Sequence, residues 1–193
     1  MTDYYDPEGR DPTISRRPQN RRGDDWIRAL LARVPVCRVA TSWDGFPFVN
    51  PTIFVYRPET HDLIYHSNIA GRLRANTDHD DRACFEASEV GRLLPSNDPL
   101  ELGMQYRSVI AFGRARLMDS PDEARAALHA LMARHFPRLR PGVEVRPISE
   151  GQLARTSVYA LQIERWSGKE NWEPQAQQTD DWPALPPELL EAP

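Results

Sequence analysis

A chain of 193 residues, 40% hydrophobic and with a net charge of −4, can bury about 70% of its unfolded surface and so build one substantial core. The modest acidity argues against a general nucleic-acid binder, and no stretch is long and apolar enough to span a bilayer. The opening MTDYYDPEGRDP lacks the apolar segment of a signal peptide, so a cytoplasmic protein is expected.

All but one of the 24 basic residues are arginine, Lys169 being the exception, so arginine alone marks no site and each one needs a local argument. Cys37 and Cys84 both fall in apparent strands, where a free thiol serves as a small buried hydrophobe. No Cys or His spacing resembles a structural zinc site, and no metal is expected.

Taken in chain order, residues 1–25 are rich in proline and charge and form an arm, solvated or draped on a second subunit. Asp24 and Asp25 precede WIRALLARV, whose apolar residues recur at helical spacing until Pro35 stops the helix. VCRVATS reads as a strand, turning at W-D-G-F into FPFVNPTIFVY. In that second strand Asn50 and Thr52 share a face opposite Val49, Ile53 and Val55, and polar side chains so placed meet solvent or a ligand. HDLIYHS returns as a third strand, a helix follows near Gly71, RACFEASE is the fourth strand and GRLLPSNDPLELG a loop. QYRSVIAFGRARLM is a fifth strand bent or bulged at Gly113. SPDEARAALHALMARHF is a helix capped by Ser120, with Glu123 completing a capping box, and a shorter helix starts near Ser149. SVYALQIERW alternates strictly as the sixth strand, and beyond Trp172 the chain is a proline-rich acidic surface tail.

The expected fold is therefore mainly β with flanking helices: a six-stranded antiparallel barrel over residues 26–172, flanked by the arm (1–25) and the tail (173–193). Six strands leave little room inside, so a sizeable ligand would lie in a groove between two barrels of a dimer.

The stretch LIYHSNIAGRLRAN (63–76) concentrates polar chemistry at a strand-to-helix joint. A helix start leaves backbone N–H groups unpaired and attracts anions. Ser67 and Asn68 could donate to a phosphate there, and Arg72, about a turn on, could reach the same anion with its fork of donors. The plainer reading is a capped helix with solvated arginines.

The order of elements, with YHSNIAGR, QYRSVIAFGRA and IERWSG, resembles the FMN-binding split-barrel superfamily typified by pyridoxamine phosphate oxidases. It is more closely similar to the Nim-type 5-nitroimidazole resistance proteins within it, over roughly residues 3–185. The resemblance implies a split β-barrel homodimer with FMN at the subunit interface, its phosphate gripped by His66, Ser67, Asn68, Gly71 and Arg72. Asn50, Thr52 and Arg107 would join that cofactor site, and Trp166 would wall a slot for a small planar aromatic compound such as a nitroimidazole. The oxidases carry basic residues where this chain has Asn50, Val55 and Leu73, and a basic, histidine-containing segment where it reads SGKENW. The activity implied is reduction of a nitro group to an amine, with His66 as the proton donor because imidazole titrates near neutral pH. A split barrel holding haem or a deazaflavin, and a non-catalytic sensing dimer, are the alternatives. Histidines 61, 79, 129 and 135 are expected to be packed or solvated, and no G-x-G-x-x-G loop provides a dinucleotide site.

Overall fold

The computed structural model describes Asp6, residues 9–15 and residues 17–190. Among these, Arg21–Arg22 form β1, Val36–Trp43 β2, Phe46–Ile53 β3, Val55–Arg57 β4, Asp62–Asn68 β5, Arg82–Leu94 β6, Gly103–Leu117 β7 and Thr156–Asn171 β8. Helices are Asp24–Arg33 (α1), Arg72–His79 (α2), Pro121–His135 (α3), Glu150–Leu153 (α4) and Pro187–Leu190 (α5).

The strands form one antiparallel sheet in the order β3-β2-β6-β7-β8-β5-β4, with β1 added on β8. The expectation of six strands is corrected to eight, for two reasons. The run FPFVNPTIFVY is interrupted at Phe54, which divides it into β3 and β4, and arm residues Arg21 and Arg22 pair with Lys169 and Gly168 as a further strand. The closed ladder of a barrel is also not observed: β3 pairs only with β2 and β4 only with β5, so the sheet curls round but its two ends meet through chain continuity at Phe54.

Alternation along the strands sorts side chains into two cores. Leu63, Tyr65, Tyr159 and Leu161 point inward with Cys37, Val39 and Phe85, where Ile27, Leu30 and Leu31 of α1 and Leu73 of α2 join them. Ile64, Val158 and Ala160 point outward against Ala124, Ala127 and Leu131 of α3. Each fully buried leucine contributes about 1.5–3 kcal/mol to this arrangement. Gly113 sits at a register shift between β7 and β8, and a Cβ there would overlap the Gln162 carbonyl.

The helix ends follow their sequence signals with one correction. Ser120 accepts from the Glu123 amide, but the Glu123 carboxylate pairs with Arg116 instead of returning to the cap, so that capping box is half-formed. A complete box closes α4 between Ser149 and Gln152. The presumed loop after Glu89 begins as strand, since β6 continues to Leu94. The tail is strapped down: Asn97 donates to the carbonyls of Thr179, Trp182 and Pro183 and accepts from the Thr179 amide. The described part of the arm likewise lies on its own sheet, with Arg22 paired to Glu170 and Asn20 donating to Tyr106 Oη at 3.1 Å. No helix among the described residues is long and apolar enough to cross a membrane.

Candidate functional site

The β4–β5 hairpin is zipped at its turn by the paired contacts of Arg57 with Asp62, at 2.7 and 2.5 Å, and stays paired as far as Val55 opposite Ile64. Continued beyond that point, the register would set Ile53 opposite His66 and Thr52 opposite Ser67. No ladder forms there, although β3 and β5 remain neighbours. The break is held from outside by α3. His135 Nε2 donates to the Phe54 carbonyl at 2.8 Å, and the Arg134 guanidinium lies 4.6 Å from the centre of the Phe54 ring while bonding the Val34 carbonyl at 2.8 Å. The consequence is a split whose facing strand edges have no ladder partner, and unpaired backbone donors and acceptors are strong binding groups.

The inward face of β3 lines this split. Asn50 and Thr52 lie opposite Val39 and Cys37 and are half-buried, whereas Val49 on the other face is exposed. Across the split, Ser67 lies on the inward face, with Oγ 3.3 Å from Tyr159 Oη. The turn beyond it is tight: the Asn68 side chain accepts from the Ala70 amide at 2.9 Å, and the Asn68 carbonyl from the Gly71 amide at 3.1 Å. A Cβ on Gly71 would press to 3.2 Å on that carbonyl. Gly71 caps α2 without any side-chain bond, so the first amides of α2 remain available. Arg72 is exposed; Nε bonds Asn76 Oδ1 at 2.9 Å and its terminal nitrogens have no hydrogen-bond partner among the described residues. Asn76 is itself fully buried and anchored to Thr41 at 3.0 Å, which fixes the base of the guanidinium.

Ser67, Asn68, Gly71 and Arg72 thus share one turn, and Asn50 and Thr52 lie on the inward face of the neighbouring strand β3. Three other candidates lie outside this group. His66 is on the outward face of β5, opposite Val158, without a side-chain hydrogen bond among the described residues; burial lowers its pKa below the ordinary 6.5 and keeps the ring neutral. Arg107 is committed to Glu170 and Glu89, with its guanidinium 3.9 Å from the Trp172 ring centre. Trp166 donates to Asp24 at 3.0 Å and meets the His61 ring at 4.5 Å. His61 lies in the turn before Asp62, and Asp62 precedes Ser67 by five residues of strand, about 17 Å.

Sequence reasoning missed the aromatic lining. Trp43 and Phe46 are cross-strand partners at the tip of the W-D-G-F hairpin, on the same face as Phe48, Asn50 and Thr52. The period-2 register counted back from Asn50 carries the signal for them. The departure at Leu73 also has a structural cause: that side chain is buried in the inner core, where a cation would be desolvated.

The residues present suit a flavin phosphate: neutral donors, helix amides and one guanidinium with free nitrogens converge beside a split lined by flat side chains. Comparison with known proteins agrees in fold. The flavocytochrome Anf3 of Azotobacter vinelandii aligns at a TM-score of 0.75 with 24% identity, over 92% of this chain and 88% of that one. A FAD and haem binding protein of Mycobacterium smegmatis aligns at 0.71 with 24% identity, over 82% and 76%. A candidate 5-nitroimidazole antibiotic resistance protein of Bacteroides thetaiotaomicron aligns at 0.64 with 18% identity, over 78% and 86%. Curated proteins gave no match. The family profile for pyridoxamine 5'-phosphate oxidase matches residues 24–170, three quarters of the sequence, and the chain belongs to that family.

Proposed function

We propose that the protein is a flavin-dependent reductase of small nitroaromatic compounds, working as a homodimer with the flavin phosphate at the β5–α2 turn. The observation that carries this reading is the unpaired split between β3 and β5, ending at the free amides of α2 and the uncommitted nitrogens of Arg72. Family membership supports a flavin, and the resemblance to Nim-type proteins supports the nitro substrate. When bound, the flavin supplies electron pairs, and the nitro oxygens leave as water as protons are taken up.

The chain's own residues have separate tasks. Arg72, Ser67 and the amides of α2 bind the phosphate, whose double charge needs several donors. Asn50 and Thr52 offer neutral hydrogen bonds on the opposite wall, and Phe48 excludes water beside them. Val36 and Val49, exposed on the outward face of β2 and β3, provide an apolar surface for a second copy. His66 lies on the outward face of β5, and burial disfavours the cationic form that a proton donor needs, so the reading gives it no proton to transfer in the split.

A second reading has its own observation. His66 is half-buried, neutral and free of side-chain hydrogen bonds among the described residues, which is the state in which imidazole ligates haem iron. Two of the structural neighbours are described as haem proteins. The visible spectrum of protein expressed with both cofactors available separates the readings. A flavin band that survives gel filtration supports the reductase, a Soret band abolished by His66→Ala supports haem, and a colourless dimer that rejects added flavin refutes both.

A further inference from the structure

We infer that the loop joining α3 to α4 docks the protein on an anionic lipid surface, with Phe136, Leu139 and Val143 entering among the headgroups and Arg138 and Arg146 meeting lipid phosphates. The inference stands apart from the flavin reading and shares none of its residues.

Residues 136–146 read FPRLRPGVEVR, which sets three arginines against one glutamate in a chain whose net charge is −4. Phe136 is 51% exposed, Leu139 39% and Val143 67%. Exposed apolar side chains elsewhere keep acidic company: Leu100 and Leu102 flank Glu101 close to Asp98, Phe46 follows Asp44 by two residues, and Trp182 follows Asp180 and Asp181. Here the company is basic. Arg140 is spent on Glu144 at 2.6 Å, which neutralises the carboxylate of the loop. Arg138 and Arg146 are exposed and make no hydrogen bond or ion pair among the described residues, so two cations are left for a partner.

The loop is also built to hold its shape. The Arg140 carbonyl accepts the amides of Val143, Glu144 and Val145, and the Gly142 amide returns to the Val145 carbonyl at 2.7 Å. Gly142 takes the left-handed conformation, at φ 82°, that closes this turn, and Pro137, Pro141 and Pro147 restrict the chain around it. A turn already fixed loses little freedom when it docks. Residues 136–144 are exposed without exception, so the turn projects from the body of the protein. A protein partner would need a matching hollow for it, whereas a fluid bilayer closes around any apolar tip. Apolar side chains between free guanidiniums suit the boundary between acyl chains and anionic headgroups.

The test is sedimentation of the full chain with vesicles of phosphatidylcholine, alone or mixed with phosphatidylglycerol. The expected result is binding to the mixed vesicles only, reversed by added salt. Arg138→Gln with Arg146→Gln lowers the partition coefficient about thirty-fold, at about five-fold for each basic residue. Val143→Ser also lowers it, while the salt dependence of the remaining binding stays the same. Both variants keep the unsubstituted melting temperature, because the side chains they alter are exposed. Failure to sediment with either vesicle overturns the inference, as does equal sedimentation with both or binding that survives both sets of substitutions. A dimer that dissociates in Val143→Ser, seen by analytical ultracentrifugation, shows a second copy covering the loop and overturns it too.

Discussion

Tyr65 sits at the centre of the inner core with no exposed surface, and its hydroxyl is a buried polar atom without a hydrogen-bond partner among the described residues. Burial also holds that hydroxyl protonated. Its ring stacks on Tyr159 at 5.0 Å and 21°, and the Tyr159 hydroxyl reaches Ser67. Leaving a polar group buried and unpaired costs about 1–3 kcal/mol. Tyr65→Phe removes that cost and keeps the stack, leaving a void smaller than a methyl group, worth under ~1 kcal/mol. The substitution should therefore stabilise the protein by about 1 kcal/mol, which raises Tm by about 2–4 °C at this chain length. Thermal unfolding by circular dichroism measures the shift, and urea unfolding with an unchanged slope confirms that it is a change in stability. A fall in Tm of the same size would show that the hydroxyl is hydrogen-bonded in solution and would refute the account of this core. Tyr159→Phe serves as the contrast, since it removes a real contact and should not stabilise.

Further outcomes are expected at the split and around it. Arg72→Ala should weaken flavin binding roughly ten- to a hundred-fold, the worth of a charge-assisted hydrogen bond of about 1.5–3 kcal/mol, with almost unchanged Tm because the side chain is exposed; fluorescence titration and a melting curve read the two effects. His135→Ala should free the Phe54 carbonyl, cost about 1–3 kcal/mol and weaken flavin binding too, while His135→Gln restores part of both; unchanged flavin affinity in a destabilised His135→Ala would separate the strand break from the site. His66 has a folded-state pKa depressed below 6.5, so in the window between the two values the unfolded chain binds more protons and stability is lost as pH falls. Urea midpoints at about pH 7.5 and about pH 5 should differ less in His66→Phe than in the unsubstituted protein, and an identical pH dependence would remove the burial argument.

Much of the architecture was legible because it is encoded locally. The strict alternation read in SVYALQIERW corresponds to the two cores on either face of β8, and the helix expected near Ser149 is α4. The strand break at Phe54 was not legible. FPFVNPTIFVY reads as one strand in spite of its two prolines, and the contact at its break is a hydrogen bond from His135, 81 positions away. The two-residue strand of the arm and the strapping of the tail by Asn97 have the same character, since each depends on a partner distant in sequence. At the site, Ser67, Asn68, Gly71 and Arg72 share one turn and could be grouped by eye. Arg107 and Trp166 could not be placed, because their neighbours Glu170, Glu89, Asp24 and His61 come from separate elements.

The central claim is that a flavin phosphate docks where β5 turns into α2. A crystal structure of the protein grown with FMN or FAD tests it most directly. The account predicts phosphate oxygens within hydrogen-bond reach of the Arg72 guanidinium, the Ser67 hydroxyl and the first amides of α2. A flavin bound with its phosphate elsewhere, or a turn closed by the protein's own side chains while the flavin is bound, would contradict it.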